Sequence, residues 1–318
     1  MRHLLGLAEI SASEIRELLT LTRAIDESAP DPHTLAGRQV ANLFFEDSTR
    51  TRSSFTAAAQ NLGAGVVDLV GGSSSVNKGE TLSDTARVLE AMNVDAIVVR
   101  SRQAGVAAGI AARVDLPVIN AGDGRHEHPT QGLLDLYTFA EAHDRVDGFD
   151  LSGLTLAIVG DIAASRVARS AIAGFTALGA KVVCVGPAAL APAGLTAMKV
   201  KVARELDEVI SAADGVMMLR IQFERYGEGK GEAGKPPEAS KNAAIGSVRE
   251  YRTRFALTAE RAARMKHGAV IMHPGPMNRG IEIDAAAADG PRSVILRQVA
   301  RGVTVRMAVL KWCLEGAA

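Results

Sequence analysis

The densest chemistry in this chain lies in five consecutive residues, Ser48-Thr49-Arg50-Thr51-Arg52, which follow the apolar run that ends at Phe44-Phe45. A strand running into a helix start leaves backbone N–H groups without acceptors and puts the positive end of the helix dipole at the turn. Ser48, Thr49 and Thr51 add O–H donors there, and Arg50 adds a planar fork whose geometry suits phosphate. The turn therefore reads as an anion site for a phosphoryl group. The plainer reading is a capped helix with a solvated basic face; of the two arginines, Arg52 is the one that could instead pair with a carboxylate to stiffen the turn.

Further along, His126-Glu127-His128-Pro129-Thr130-Gln131 invites two readings. Two histidines flanking a glutamate suggest a metal, but no other Cys or His cluster accompanies them, so the usual ligand sets are incomplete. Alternatively, Pro129 opens a helix, and His128 and Gln131 at its N-terminus reach one small polar ligand as donor and acceptor. A buried structural role remains open for His126. Arg166 in Ser165-Arg166-Val167-Ala168-Arg169 and Arg220 in Leu219-Arg220-Ile221-Gln222 each sit where a strand gives way to a loop or helix. Two forks of this kind can grip both ends of a dicarboxylic acid, although either alone is more often a surface ion pair. In His273-Pro274-Gly275-Pro276 two prolines fix a backbone path whose carbonyls can accept from an amide NH2, or which simply forms a rigid turn.

Two common phosphate fingerprints are excluded. Gly160-Asp161-Ile162-Ala163-Ala164 lacks the Gly-x-Gly-x-x-Gly of a dinucleotide fold. The loop from Gly72 to Gly79 resembles a nucleotide P-loop, but has Asn77 where glycine is required and Gly79 where a hydroxyl is required.

These motifs need a scaffold, and the periodicity supplies one. Residues 11–24 read as a helix with Ser11 and Glu14 forming a capping box. Strands are expected at 39–45, 66–70, 96–99 and 117–120, and helices at 51–63, 82–92, 105–112 and 130–143. The polar stretch 144–153 is the expected junction. The alternation then restarts, with strands at 154–159, 181–185, 215–219 and 269–272. Helices are expected at 167–178, 202–210, 258–265 and 293–314, and a surface loop over 226–247. Strands alternating with helices imply parallel sheets with crossover helices, and continuous apolar strands imply sheets covered on both faces. The expectation is an α/β protein of two doubly wound domains, each a parallel sheet flanked by helices. Ligands in such folds bind at the carboxyl ends of strands, where each of these motifs falls.

The chain of 318 residues carries no formal net charge, which favours neither nucleic acid nor an anionic membrane as partner. Cys184 and Cys313 form no disulfide framework and suit a reducing, cytoplasmic setting. No apolar run approaches the ~18–20 residues of a membrane span, and the N-terminus lacks a signal-peptide pattern.

Taken in order, Ser48-Thr-Arg-Thr-Arg52, Lys78-Gly-Glu-Thr81, Arg100, His128-Pro-Thr-Gln131, Gly160-Asp-Ile162 with Ser165-Arg-Val-Ala-Arg169, Leu219-Arg-Ile-Gln222 and His273-Pro-Gly-Pro276 with Asn278-Arg-Gly280 resemble the aspartate/ornithine carbamoyltransferase family along nearly the whole chain. The late segment differs from the His-Cys-Leu-Pro typical of the ornithine branch, and Arg220 and Gln222 suit a dicarboxylate. The resemblance thus points to the aspartate branch, in which carbamoyl phosphate and L-aspartate give N-carbamoyl-L-aspartate and phosphate, the committed step of de novo pyrimidine synthesis.

By that resemblance, Ser48, Thr49, Arg50 and Thr51 hold the phosphate. Arg100 bridges phosphate and carbonyl oxygen, and His128 with Thr51 polarises the carbonyl. Gln131 and the backbone of Gly275 and Pro276 fix the carbamoyl amide. Arg166, Arg220, Gln222 and Lys78 bind aspartate, with Ser74 and Lys78 reaching in from a neighbouring subunit of a homotrimer. That trimer either stands alone or joins regulatory chains or dihydroorotase-like subunits, as in a dodecamer. Residues 1–143, joined by the last helix at 292–318, form the carbamoyl phosphate domain, and 150–288 the aspartate domain. No metal or organic cofactor is implied. Two departures stand out: Asp47 where the family commonly has proline, and a 226–247 loop longer than usual.

Overall fold

The computed structural model describes residues 1–70, 81–221, 245 and 247–315. Its first sheet contains β1 (Gln39–Phe44), β2 (Gly65–Val70), β3 (Ala96–Ser101) and β4 (Val118–Asp123), all parallel in the order β2-β1-β3-β4. The second contains β5 (Thr155–Val159), β6 (Lys181–Val185), β7 (Lys201–Ala203), β8 (Gly215–Met218) and β9 (Val270–Met272), parallel in the order β7-β6-β5-β8-β9. The two-sheet α/β architecture expected from the alternation is present.

Every residue of β3 and β4 is buried. Successive side chains point to opposite faces of a sheet, so a wholly buried strand requires cover on both. Ile97 and Val99 pack with Leu89 of α3 (Leu82–Ala91) and Ile110 of α4 (Val106–Ala111), whereas Val98 joins a larger core on the other face. That larger core includes Leu18 of α1 (Ala12–Glu27), Phe55 of α2 (Thr49–Asn61) and Leu136 of α5 (Pro129–Ala142). It continues through Phe175 of α6 (Arg166–Ala177) to Leu156 and Ile158 of β5. The alternate β5 residues Ala157 and Val159 face a separate core with Tyr251 and Phe255 of α7 (Val248–Phe255). The long α10 (Ile295–Glu315) packs on α1, α2 and α5, returning the chain to its first half.

Local capping follows the expected chemistry. Ser11 caps α1 and forms the capping box with Glu14. Thr81, Ser165, Ser247 and, at α8 (Ala259–Ala263), Thr258 also cap with their side chains. The expected helix at 202–210 is a correction. Val202 lies in edge strand β7, paired with Cys184 of β6, and the helical part shrinks to a single 3-10 turn, Leu206–Glu208. The alternating Lys199-Val200-Lys201-Val202 favours extended backbone, and the Glu208 carboxylate accepts from the Glu205 N–H at 2.8 Å, tightening the turn. Helix α7 occupies residues to which no element had been assigned, and short α9 (Ala285–Ala288) was likewise unassigned. Apart from residues 245 and 247, the 226–247 loop lies outside the described residues. Among the described residues, no helix is long and apolar enough to cross a membrane.

Buried Glu127 ties three segments together. Its carboxylate accepts from the N–H groups of Leu7 (2.8 Å) and Ala8 (3.1 Å) and from the Ser170 hydroxyl of α6 (2.7 Å).

Candidate active site

Helices α2 and α5 begin at the carboxyl ends of β1 and β4, and their N-caps differ from those above. Ser48 and His128 make no side-chain capping bond. The first N–H groups of any helix lack an intrahelical acceptor. At α2 those donors belong to the same turn as Ser48, Thr49, Arg50 and buried Thr51. Arg50 is exposed and reaches across to the second half of the chain, its Nη1 making a long 3.5 Å contact with the Pro274 carbonyl. Gly275 has φ +63°, a conformation that favours glycine, and a Cβ there would overlap Arg50 Nη1, so any side chain at this position would push the guanidinium aside.

Arg100 is the penultimate residue of β3 and Arg166 opens α6, and both are largely buried. They converge on Glu46, two residues before the α2 N-cap. Arg166 grips it through both oxygens, Nη1 to Oε2 at 2.8 Å and Nη2 to Oε1 at 2.9 Å. Arg100 Nη2 lies 3.5 Å from Oε1, while its Nη1 donates to the Ala121 carbonyl at 3.1 Å. A Cβ on Gly122 (φ +115°) would sit 3.1 Å from Arg166 Nε and 3.2 Å from Arg100 Nη1, so this glycine makes room for both forks. Two guanidinium groups share one carboxylate, leaving a local excess of positive charge suited to anions.

His128 is buried within reach of their charges. Its N–H donates to Ser170 Oγ at 2.9 Å, and its ring Nδ1 has no partner among the described residues. Burial first, then the charges of Arg100, Arg166 and Arg306, hold the imidazole well below its usual value, so the ring is neutral at neutral pH. A neutral ring can still donate one hydrogen bond. The unfolded chain takes up the proton near pH 6.5 while the folded chain resists it, so stability falls as pH drops below that point, by up to about 1.4 kcal/mol per pH unit. Urea denaturation at pH 7 and pH 5.5 should show the wild type losing more stability on acidification than His128→Gln does. Equal losses would mean that the imidazole is not held neutral.

Gln131, one turn into α5, donates from Nε2 to Asp135 Oδ1 at 2.9 Å. The 273–276 loop begins at buried His273, whose Nδ1 accepts from the Gly275 N–H at 2.8 Å while Nε2 faces Glu282 at 3.3 Å. That histidine serves the turn. His126 is half-exposed against the Asp123 carboxylate at 3.2 Å, so it is neither buried nor directed at the site.

The structure thus gathers Arg100 and Arg166 around Glu46 near His128, and ties Arg50 directly, and Gln131 through Asp135 and Gln298, to the loop carrying Gly275 and Pro276. Arg220 stands at the same carboxyl edge of the second sheet: the Leu219 N–H bonds Val159 of β5 at 2.8 Å, and the Ile221 carbonyl accepts from Asn278 at 3.4 Å. Ser74, Lys78 and Gln222 lie outside the described residues. Residue-by-residue reading missed Glu46, Ser170 and Asp135. Glu46 precedes the phosphate turn, and a carboxylate beside so many cationic groups was the available signal.

Comparison with known proteins shows the family. The family described as aspartate/ornithine carbamoyltransferase, carbamoyl-P binding domain, matches residues 2–141. The companion Asp/Orn binding domain matches residues 152–313. The aspartate carbamoyltransferase catalytic subunit of Myxococcus xanthus (strain DK1622) is 49% identical over 98% of this chain and 99% of its own. Among solved structures, aspartate transcarbamoylase from Trypanosoma cruzi in complex with carbamoyl phosphate and aspartate superposes with TM-score 0.81 at 30% identity, covering 98% of this chain and 95% of that one. The ornithine carbamoyltransferase from Pyrococcus furiosus superposes with TM-score 0.84 at 27% identity, covering 99% and 97%. Fold alone therefore does not separate the two branches. With both domains matched in order and the arginines gathered where the strands end, this chain belongs to the aspartate/ornithine carbamoyltransferase family.

Proposed function

We propose that the chain transfers the carbamoyl group of carbamoyl phosphate to the α-amine of L-aspartate, giving N-carbamoyl-L-aspartate and phosphate. The observation carrying this is the convergence of Arg100 and Arg166 on Glu46 beside a neutral His128. Aspartate is preferred over ornithine because Arg166, Arg220 and Gln222 offer positive and polar groups to a dicarboxylate, and because the M. xanthus relative bears the aspartate name. Residues 1–143 with 292–318 hold carbamoyl phosphate, and 150–288 hold aspartate.

The unprotonated amine attacks the carbamoyl carbon, and charge gathers on the carbonyl oxygen. Arg100, Thr51 and His128 donate to that oxygen as an oxyanion hole does. Ser48, Thr49, Arg50 and Thr51 retain the departing phosphate, which can accept the amine proton. Gln131, Gly275 and Pro276 orient the carbamoyl amide. Holding two anions at reacting distance supplies much of the acceleration, and the chemistry calls for no covalent nucleophile. Phosphate release with aspartate against ornithine as acceptor tests the assignment, and preference for ornithine would overturn it.

Glu46 positions both arginines without touching substrate. Glu46→Gln should lower kcat/KM for aspartate by roughly 10–100-fold, the weight of one or two charge-assisted hydrogen bonds. Unchanged steady-state kinetics would show that the arginines hold their places without it.

The working unit is proposed to be a cytoplasmic homotrimer in which Ser74 and Lys78 of one subunit complete the neighbour's site. Free, buried Cys184 and Cys313 suit a reducing compartment. Mixed trimers of Lys78→Ala and His128→Ala chains, each inactive alone, should regain activity. Inactive mixed trimers would show that each site is built within one chain.

A further inference from the structure

Behind Gln131 lies a carboxylate that the mechanism above does not use. Asp135 is wholly buried in α5, and its Oδ1 accepts two hydrogen bonds, from Gln131 Nε2 at 2.9 Å and from Gln298 Nε2 of α10 at 2.7 Å. The orientation of Gln298 is set independently. Its Oε1 accepts from the His273 backbone N–H at 2.9 Å, and a backbone N–H can only donate. The Gln298 NH2 must therefore face Asp135. An ionised carboxylate has no proton to give, so the Gln131 NH2 must face it as well. With its NH2 turned toward Asp135, the planar Gln131 amide directs its carbonyl oxygen to the opposite side, as an acceptor for a ligand.

We propose that Asp135 is a specificity-determining positioning residue: by fixing the Gln131 amide, it turns an oxygen acceptor toward the substrate and selects an acyl phosphate bearing an NH2 over one bearing a methyl group. This deepens the reading that the site binds carbamoyl phosphate and rests on it. The same carboxylate, through Gln298 and His273, braces the loop of Gly275 and Pro276, so both elements assigned to the carbamoyl amide are tied to one buried anion. Burial pushes the Asp135 carboxyl up to about 7, against the amide bonds and the Arg306 charge that pull it down, so at about pH 8 the acceptor form prevails.

The test compares three ligands at about pH 8 by calorimetry: carbamoyl phosphate, acetyl phosphate (with CH3 replacing NH2) and inorganic phosphate. Wild type should bind carbamoyl phosphate more tightly than acetyl phosphate. Asp135→Ala should weaken carbamoyl phosphate binding about 10–100-fold, the range of one to two lost hydrogen bonds, with the other two ligands changed less than about twofold. Asp135→Asn keeps an acceptor oxygen and should restore most of the preference. If Asp135→Ala does not fold, Asp135→Ser, which leaves a polar group in the space, is read the same way. A uniform loss across all three ligands, or an unchanged carbamoyl-to-acetyl ratio, overturns the proposal. Failure of wild type to bind carbamoyl phosphate would instead overturn the functional reading itself.

Discussion

Arg100→Ala should lower kcat about 10²–10³-fold at saturating concentrations of both substrates. Removing one preorganised donor to a developing oxyanion typically costs about 2.7–4 kcal/mol of transition-state stabilisation. Arg100 is suited to that role because β3 and the Ala121 carbonyl hold it, and it need not reorganise as charge appears. Arg100→Lys retains charge but loses the planar fork, so it should fall between the two. The diagnostic is the split between constants. A defect confined to KM, with kcat within about threefold of wild type, would show that Arg100 binds ground state and transition state alike and is no oxyanion donor.

Arg50→Ala should raise the KM for carbamoyl phosphate by roughly 10–100-fold. A hydrogen bond to a charged group is worth about 1.5–3 kcal/mol, and Arg50 sits at the mouth of the α2 turn, reaching toward the 273–276 loop. Because the lost contact is to the phosphoryl end, inhibition by inorganic phosphate should weaken in the same proportion. This should distinguish Arg50 from Asp135, whose removal is expected to leave phosphate binding nearly untouched. A smaller fall in turnover should accompany it, since Arg50 also reaches Pro274 across the gap between the two sheets. Near wild-type kinetics, measured by initial rates over a carbamoyl phosphate series, would remove the phosphate turn from the mechanism.

How much of this was readable in the linear chain varies with distance along it. Elements defined by local periodicity and caps, such as α1 with its Ser11–Glu14 box or the apolar β5, are legible because the forces that make them act within a few residues. Val202 and its neighbours misled because alternation and helical spacing overlap in a short segment, and pairing with β6 decided the outcome. The motif arginines were legible by type and position. Their shared partner was not: Glu46 lies 120 positions from Arg166, and only the folded topology closes that distance. Asp135 was hidden for a different reason. It sits in a helix whose neighbouring residues are almost all apolar and buried, and its partner Gln298 comes from the far end of the chain.

Glu127 carries a further consequence. Its carboxylate accepts from Leu7 and Ala8, and its third partner, Ser170, is the acceptor for the His128 N–H. The extreme N-terminal segment is thus stitched, through a single acid, to the residue assigned to polarise the substrate carbonyl. Fusing a rigid tag close to Leu7 and Ala8 would strain the backbone that carries the His128 ring. Removing the first eight residues would do more, since it also takes buried Leu4 and Leu7 out of the core and strips the Leu4 backbone bonds from β4.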